Sequence, residues 1–211
     1  MKAVILCDGT PPTREMIQKE FSARGNTLLI AADGGAYTAE RLSLEPDIII
    51  GDLDTYSPDG TERAEVIRVP DQETNDLEKA LNEALKRGIR RSVVFGATGK
   101  RLDHTLKNLS VLLKYHSLME DIRIVDHYSV IELITSPFRR EVEPGTSLSL
   151  FPLSGTVSGI TTRGLKYPLH DEMLKNGVRD GSSNVAAEMV VEIRFKEGDL
   201  LLITNLKSSE V

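Results

Sequence analysis

A chain of 211 residues, 40% hydrophobic and 27% charged, has the composition of a globular protein with room for one large domain or two small ones. Its net charge of -6 argues against a phosphate-tracking nucleic-acid surface. No run approaches the roughly 20 apolar residues of a membrane span, and the opening MKAVILCDGT is too short in apolar residues for a signal peptide. A cytoplasmic protein that binds neither nucleic acid nor membrane is therefore expected. The single cysteine, Cys7, excludes an intrachain disulfide and, following Val4-Ile5-Leu6, reads as a buried thiol.

In chain order, AVILC (Ala3 to Cys7) predicts a strand, and TREMIQKEFSARG a helix closed by Gly25. TLLIAA (Thr27 to Ala32) is a second strand, running into Asp33-Gly34-Gly35. AYTAERL is a short helix, DIIIGDLD a third strand, and EVIRV (Glu65 to Val69) a weaker fourth. NDLEKALNEALKRG is the clearest helix: Leu77, Ala80, Leu81, Ala84 and Leu85 share one face, Asn75 and Glu78 have capping-box spacing, and Gly88 stops it. SVVFGA is a fifth strand; Leu102, Leu106, Leu109 and Leu113 stripe the next helix; DIRIVD (Asp121 to Asp126) is a sixth strand. Strands alternating with helices, several of them apolar throughout, predict a Rossmann-like α/β domain with a parallel sheet covered on both faces.

After His127 the helices stop. SVIELI, REVEP, TSLSLFPL, GTVSGITT, EMVVEIRF and DLLLI are short, closely spaced strands with Gly and Pro between them, as in an antiparallel sandwich. The expected division is an α/β domain over 1–127 and an all-β sandwich over 128–211.

Acids collect where the strands of the first domain end. Asp33 follows the second strand, Asp52 and Asp54 end the third, Asp76 opens the helix after the fourth, and Asp103 opens the helix after the fifth. In a parallel sheet these points share the carboxyl edge, where open α/β sheets bind ligands. Singly, Asp76 and Asp103 could serve only the helix dipole, and Asp33 only a turn. Asp52 and Asp54 are harder to assign to structure, because residues i and i+2 of an extended chain point the same way and like charges repel unless a cation lies between them. Clustered carboxylates without nearby histidine or cysteine suit a hard cation, Mg²⁺ or Mn²⁺, which on an α/β edge usually handles phosphate. GATGKRLDH (Gly96 to His104) adds a glycine turn, Lys100 and Arg101 beside a helix N-terminus. It is not a Walker loop, and no G-x-G-x-x-G is present. LCDGT is similar to the nucleophile loop of haloacid-dehalogenase-type phosphatases, but Leu6 stands where the nucleophilic aspartate is needed.

As an ordered set, ADGG (Ala32 to Gly35), GDLDT (Gly51 to Thr55), DQETNDLEKAL (Asp71 to Leu81) and GATGKRLDHTLKNL (Gly96 to Leu109) resemble the motifs of thiamine pyrophosphokinases. GLKYPL (Gly164 to Leu169) and GSSN (Gly181 to Asn184) resemble that family's thiamine-site segments. Leu53 and Thr55 replace the common Phe and Ser of GDFDS, and Val185 stands where many bacterial members carry an acid. The resemblance implies pyrophosphoryl transfer from ATP to thiamine by a homodimer with shared clefts. It implies that Asp33, Asp52, Asp54 and Asp76 hold Mg²⁺ and the phosphates. Gly34, Gln72, Arg101 and Asp103 would lie at ATP, and Tyr167, Ser183 and Asn184 at thiamine. Read from spacing alone, three alternatives stay open: a metal-dependent nucleotide-sugar glycosyltransferase, a kinase for another alcohol, and a non-enzymatic ATP sensor.

Overall fold

Of the 211 residues, the computed structural model describes 1–22 and 27–206. Two compact units divide the chain, Met1–His127 and Tyr128–Val211.

The first unit contains β1 (Lys2–Leu6), α1 (Arg14–Ser22), β2 (Thr27–Ala32), α2 (Gly35–Arg41), β3 (Ile48–Gly51) and β4 (Glu65–Arg68). It continues with α3 (Asp76–Lys86), β5 (Arg91–Phe95), α4 (Leu102–Tyr115) and β6 (Asp121–Val125). The glycine expected to close α1, Gly25, lies outside the described residues. Six strands form a parallel sheet in the order β6-β5-β1-β2-β3-β4. Central β1 buries Ala3 to Leu6 completely, which is why it reads as an unbroken apolar run. Edge strand β4 is mostly exposed, so its sequence signal is weak.

Helix α3 begins where the capping box predicts. The Asn75 side chain accepts from the Glu78 N–H at 2.9 Å, and Glu78 accepts from the Asn75 N–H at 3.1 Å. Gly88, at φ 75°, turns the chain out of the helix. The leucine stripe of α4 is where burial departs from expectation. Leu102, Leu106 and Leu113 are exposed, and the buried face is Asn108, Val111, Leu112 and Tyr115. Polar anchors set that rotation: Asn108 donates to the Ala97 carbonyl at 2.8 Å and accepts from Asn75 at 2.9 Å, and the Tyr115 hydroxyl reaches Asn82 at 2.8 Å. Buried polar groups left without partners cost more than exposed leucines.

The second unit contains β7 (Ser129–Ile134), β8 (Phe138–Glu141), β9 (Ser147–Pro152), β10 (Thr156–Arg163), β11 (Glu172–Lys175), β12 (Gly181–Val185), β13 (Val190–Arg194) and β14 (Leu200–Asn205). Two antiparallel sheets, β12-β9-β14-β7 and β11-β10-β13-β8, form the sandwich. Leu148, Leu150 and Leu202 from one sheet and Val157, Ile160 and Ile193 from the other meet in its core. Strands β11 and β12 have no sequence forecast; GSSNV is polar and extends because β9 pairs with it. No helix among the described residues is long and apolar enough to cross a membrane.

Candidate active site

Strand order locates the site before any side chain does. The chain builds outward from β1 through β2, β3 and β4, then places β5 and β6 on β1's other flank. The carboxyl ends of β1 and β5 thus diverge at a topological switch point, the place where open α/β sheets leave a crevice. There the two following turns are bonded together, Gly9 N–H to the Gly96 carbonyl at 2.6 Å and Thr10 N–H to the Thr98 carbonyl at 2.8 Å. A Cβ on Gly9 would stand 2.3 Å from the Gly96 oxygen, so only glycine permits this approach. Beside them opens a cavity of about 240 Å³ whose wall includes Asp8, Asp33, Gly34, Asp76, Lys100 and Arg101.

Asp33, Asp52 and Asp54 converge at this edge, each offering a carboxylate oxygen within 4.8 Å of the others. The cause is not the extended chain that the sequence suggests. Strand β3 stops at Gly51, and Leu53 at φ 62° reverses the backbone between the two aspartates. Asp33, itself at φ 43°, is only 2% exposed and accepts from the Tyr56 N–H at 3.2 Å. Gln72 donates to Asp52 at 2.8 Å. That hydrogen bond, with the nearby Lys79 ammonium, holds the Asp52 carboxyl below its ordinary range.

Asp76 lines the cavity but stands outside the trio, and pairs with Lys79. The Lys79 ammonium lies 3.1 Å from Asp76 and 3.9 Å from Asp52, with its side chain 3% exposed. Burial raises the Asp76 carboxyl, Lys79 opposes the rise, and Asp33 and Asp52 add to it. The donor set of the trio is all carboxylate, which fits a hard divalent cation. Arg101 and Asp103 bond each other at 3.1 Å on the exposed start of α4, and Asp103 does not line the cavity. Cys7 is buried beside the site, and desolvation pushes its thiol up, which disfavours the thiolate.

Asp8 and Lys79 escape the sequence reading. Asp8 follows β1 at the same edge as the other acids, so the rule that picks Asp33 picks it too. Lys79 carries one signal, its place three residues after Asp76 on the helix.

In the second unit the structure joins Tyr167 to Asn184, while the Ser183 N–H bonds the Ser149 hydroxyl at 3.1 Å. The buried Asn184 amide accepts from the Tyr167 N–H at 3.1 Å and the Val185 N–H at 2.9 Å, and donates to the Tyr167 carbonyl at 2.7 Å. Asn184 thus clamps the backbone of Tyr167, whose ring is left exposed. Ser183 sits at φ 59° in the irregular stretch between Gly181 and Asn184 where β12 shifts register on β9.

Comparison with known proteins agrees over both units. Residues 22–125 match the family model of the thiamin pyrophosphokinase catalytic domain, and residues 137–200 that of the thiamin pyrophosphokinase vitamin B1 binding domain. Thiamine pyrophosphokinase 1 of Oryza sativa subsp. japonica is 29% identical over 216 residues, covering 86% of this chain and 80% of the relative. Thiamine pyrophosphokinase of Bacillus subtilis is 27% identical over 187 residues, covering 84% and 87%. The crystal structure of thiamin pyrophosphokinase from Geobacillus thermodenitrificans superposes with a TM-score of 0.83 at 26% identity, covering 100% of both chains. The chain belongs to the thiamine pyrophosphokinase family.

Proposed function

We propose that this protein transfers the pyrophosphoryl group of ATP to the hydroxyl of thiamine, giving thiamine diphosphate and AMP. The observation that carries the reading is the carboxylate trio beside a glycine-walled cavity at the β1/β5 switch point, in a chain of this family. Moving a pyrophosphoryl group from the AMP phosphate oxygen to an alcohol oxygen needs positioning and charge neutralisation more than covalent help from the protein. Asp33, Asp52 and Asp54 would hold Mg²⁺, which neutralises polyphosphate charge when bound. Gln72 fixes the orientation of Asp52, and Lys79 neutralises Asp76 and Asp52 from the buried side. Gly34 leaves room at the cavity wall, and Arg101 offers a planar fork for phosphate oxygens once it leaves Asp103. In this reading residues 1–127 bind ATP and metal, and residues 128–211 bind thiamine through Tyr167 and Ser183. A homodimer in a cytoplasmic setting completes it. Neither nucleotide-sugar transfer nor non-enzymatic nucleotide sensing is favoured by either family model.

Incubation with ATP, Mg²⁺ and thiamine tests the proposal. AMP and thiamine diphosphate are expected in equal amounts; ADP, or no thiamine product, would overturn it. Asn184→Ala tests the thiamine side. Losing its clamp frees the Tyr167 backbone, and the KM for thiamine should rise about tenfold while that for ATP holds. Steady-state kinetics with each substrate varied checks this; equal changes in both constants would assign Asn184 to general folding.

A further inference from the structure

Lys100 occupies a place made for glycine. It stands at φ 51°, directly after Gly99 at φ 78°, in the turn that the β1 loop presses against. A side chain in this left-handed region is strained, and such strain persists only where the surroundings impose it. What the side chain does there is form an ion pair with Asp8, Nζ to Oδ1 at 2.8 Å, across 92 residues of sequence. The pair is half exposed, at 47% and 48%, and pairs of that kind contribute little to folding. Fold stability therefore does not account for lysine where glycine would sit unstrained.

Location does account for it. Lys100 and Asp8 both line the cavity that contains Asp33 and Asp76. The other lining cation of this turn, Arg101, is turned onto Asp103, which does not line the cavity. The Asp8 carboxylate holds the Lys100 ammonium as an oxyanion would, so it stands in for a phosphate oxygen.

We propose that Lys100 is a further polyphosphate-binding residue and that Asp8 is its resting partner, exchanged for phosphate oxygens when the nucleotide enters. This rests on the pyrophosphokinase reading above. The exchange breaks one charge-assisted hydrogen bond and forms another, with no covalent change.

Calorimetric titration with Mg²⁺–tripolyphosphate tests it, because that probe carries the phosphates without the nucleoside. Lys100→Gly should weaken its binding about tenfold. The melting temperature of that variant should stay level or rise by about 2 °C as strain is released. Lys100→Gln, which keeps the bulk and loses the charge, should show the same loss of binding. Asp8→Asn should tighten binding about threefold, since no ion pair then has to break. Unchanged affinity in Lys100→Gly, or weaker binding in Asp8→Asn, would make the pair a latch between two turns and overturn the proposal. If wild-type protein makes thiamine diphosphate and AMP while Lys100→Gly binds tripolyphosphate normally, only the role of Lys100 is lost. If wild-type protein binds neither tripolyphosphate nor ATP, the functional reading falls with it.

Discussion

Asp54→Asn is expected to lose about a thousandfold in turnover while its melting temperature stays level or rises slightly. Three carboxylates with oxygens within 4.8 Å of one another repel in the absence of a cation. Their convergence is maintained by the left-handed turn at Leu53 and by the bonds from Gln72 and the Tyr56 N–H, none of which needs Asp54 to be charged. The amide is the same size and can still accept from the Thr55 hydroxyl, which lies 3.0 Å from the carboxylate. On the proposed reading, what the substitution removes is one anionic ligand and its share of metal affinity. A second readout separates this from disruption. Mg²⁺ should raise the melting temperature of wild-type protein, as any ligand bound only by the folded state does, and should raise that of Asp54→Asn much less. Near-normal turnover, or a variant that does not fold, would remove the trio from the mechanism.

Lys79→Met should destabilise the metal-free protein by about 2 kcal/mol, lowering its melting temperature by roughly 4–8 °C. Removing one partner of a buried ion pair typically costs 3–5 kcal/mol, and the figure here is discounted because the Asp76 side chain is 40% exposed. Methionine fills the volume of the lysine stem, so the loss reports charge rather than packing. Two conditions should shrink it. Mg²⁺ restores positive charge among the acids, so it should recover part of the deficit. Acidification should do the same. A carboxyl whose folded pKa lies above its unfolded value binds protons more readily in the native state, so its destabilising effect fades as pH falls through the folded pKa. Burial already raises Asp76, and losing Lys79 raises it further. Thermal melts with EDTA or Mg²⁺, at pH 7.5 and 5.5, check both. A deficit insensitive to metal and pH would leave Lys79 with a packing role alone.

Local signals in the chain carried most of the elements. TLLIAA and SVIELI coincide residue for residue with β2 and β7, and the Asn75/Glu78 capping box starts α3 where the spacing places it. These features depend on residues within a few positions of one another, where side-chain period and capping chemistry decide the conformation. The acids at strand ends were legible for a different reason: once the strands are read as parallel, every such end falls on one edge.

Tertiary structure decided the rest. EMLK and GSSNV extend only because β10 and β9 lie alongside to pair with them. Leu102, Leu106 and Leu113 of α4 face outward because Asn75, Asn82 and Ala97, from other segments, bind its polar side. Asp52 and Asp54 converge through a reversal at Leu53, a residue with no propensity for one, held there by its surroundings. Lys79 acts on the site through contacts that spacing barely hints at. Asp8 and Lys100, 92 residues apart, meet only because β1 and β5 are neighbours at the switch point. Strand order follows from which buried faces fit together over the whole domain, a sum of many weak long-range contacts. No short window of sequence contains that sum, and so the cavity, unlike the strands that frame it, could not be read from the chain.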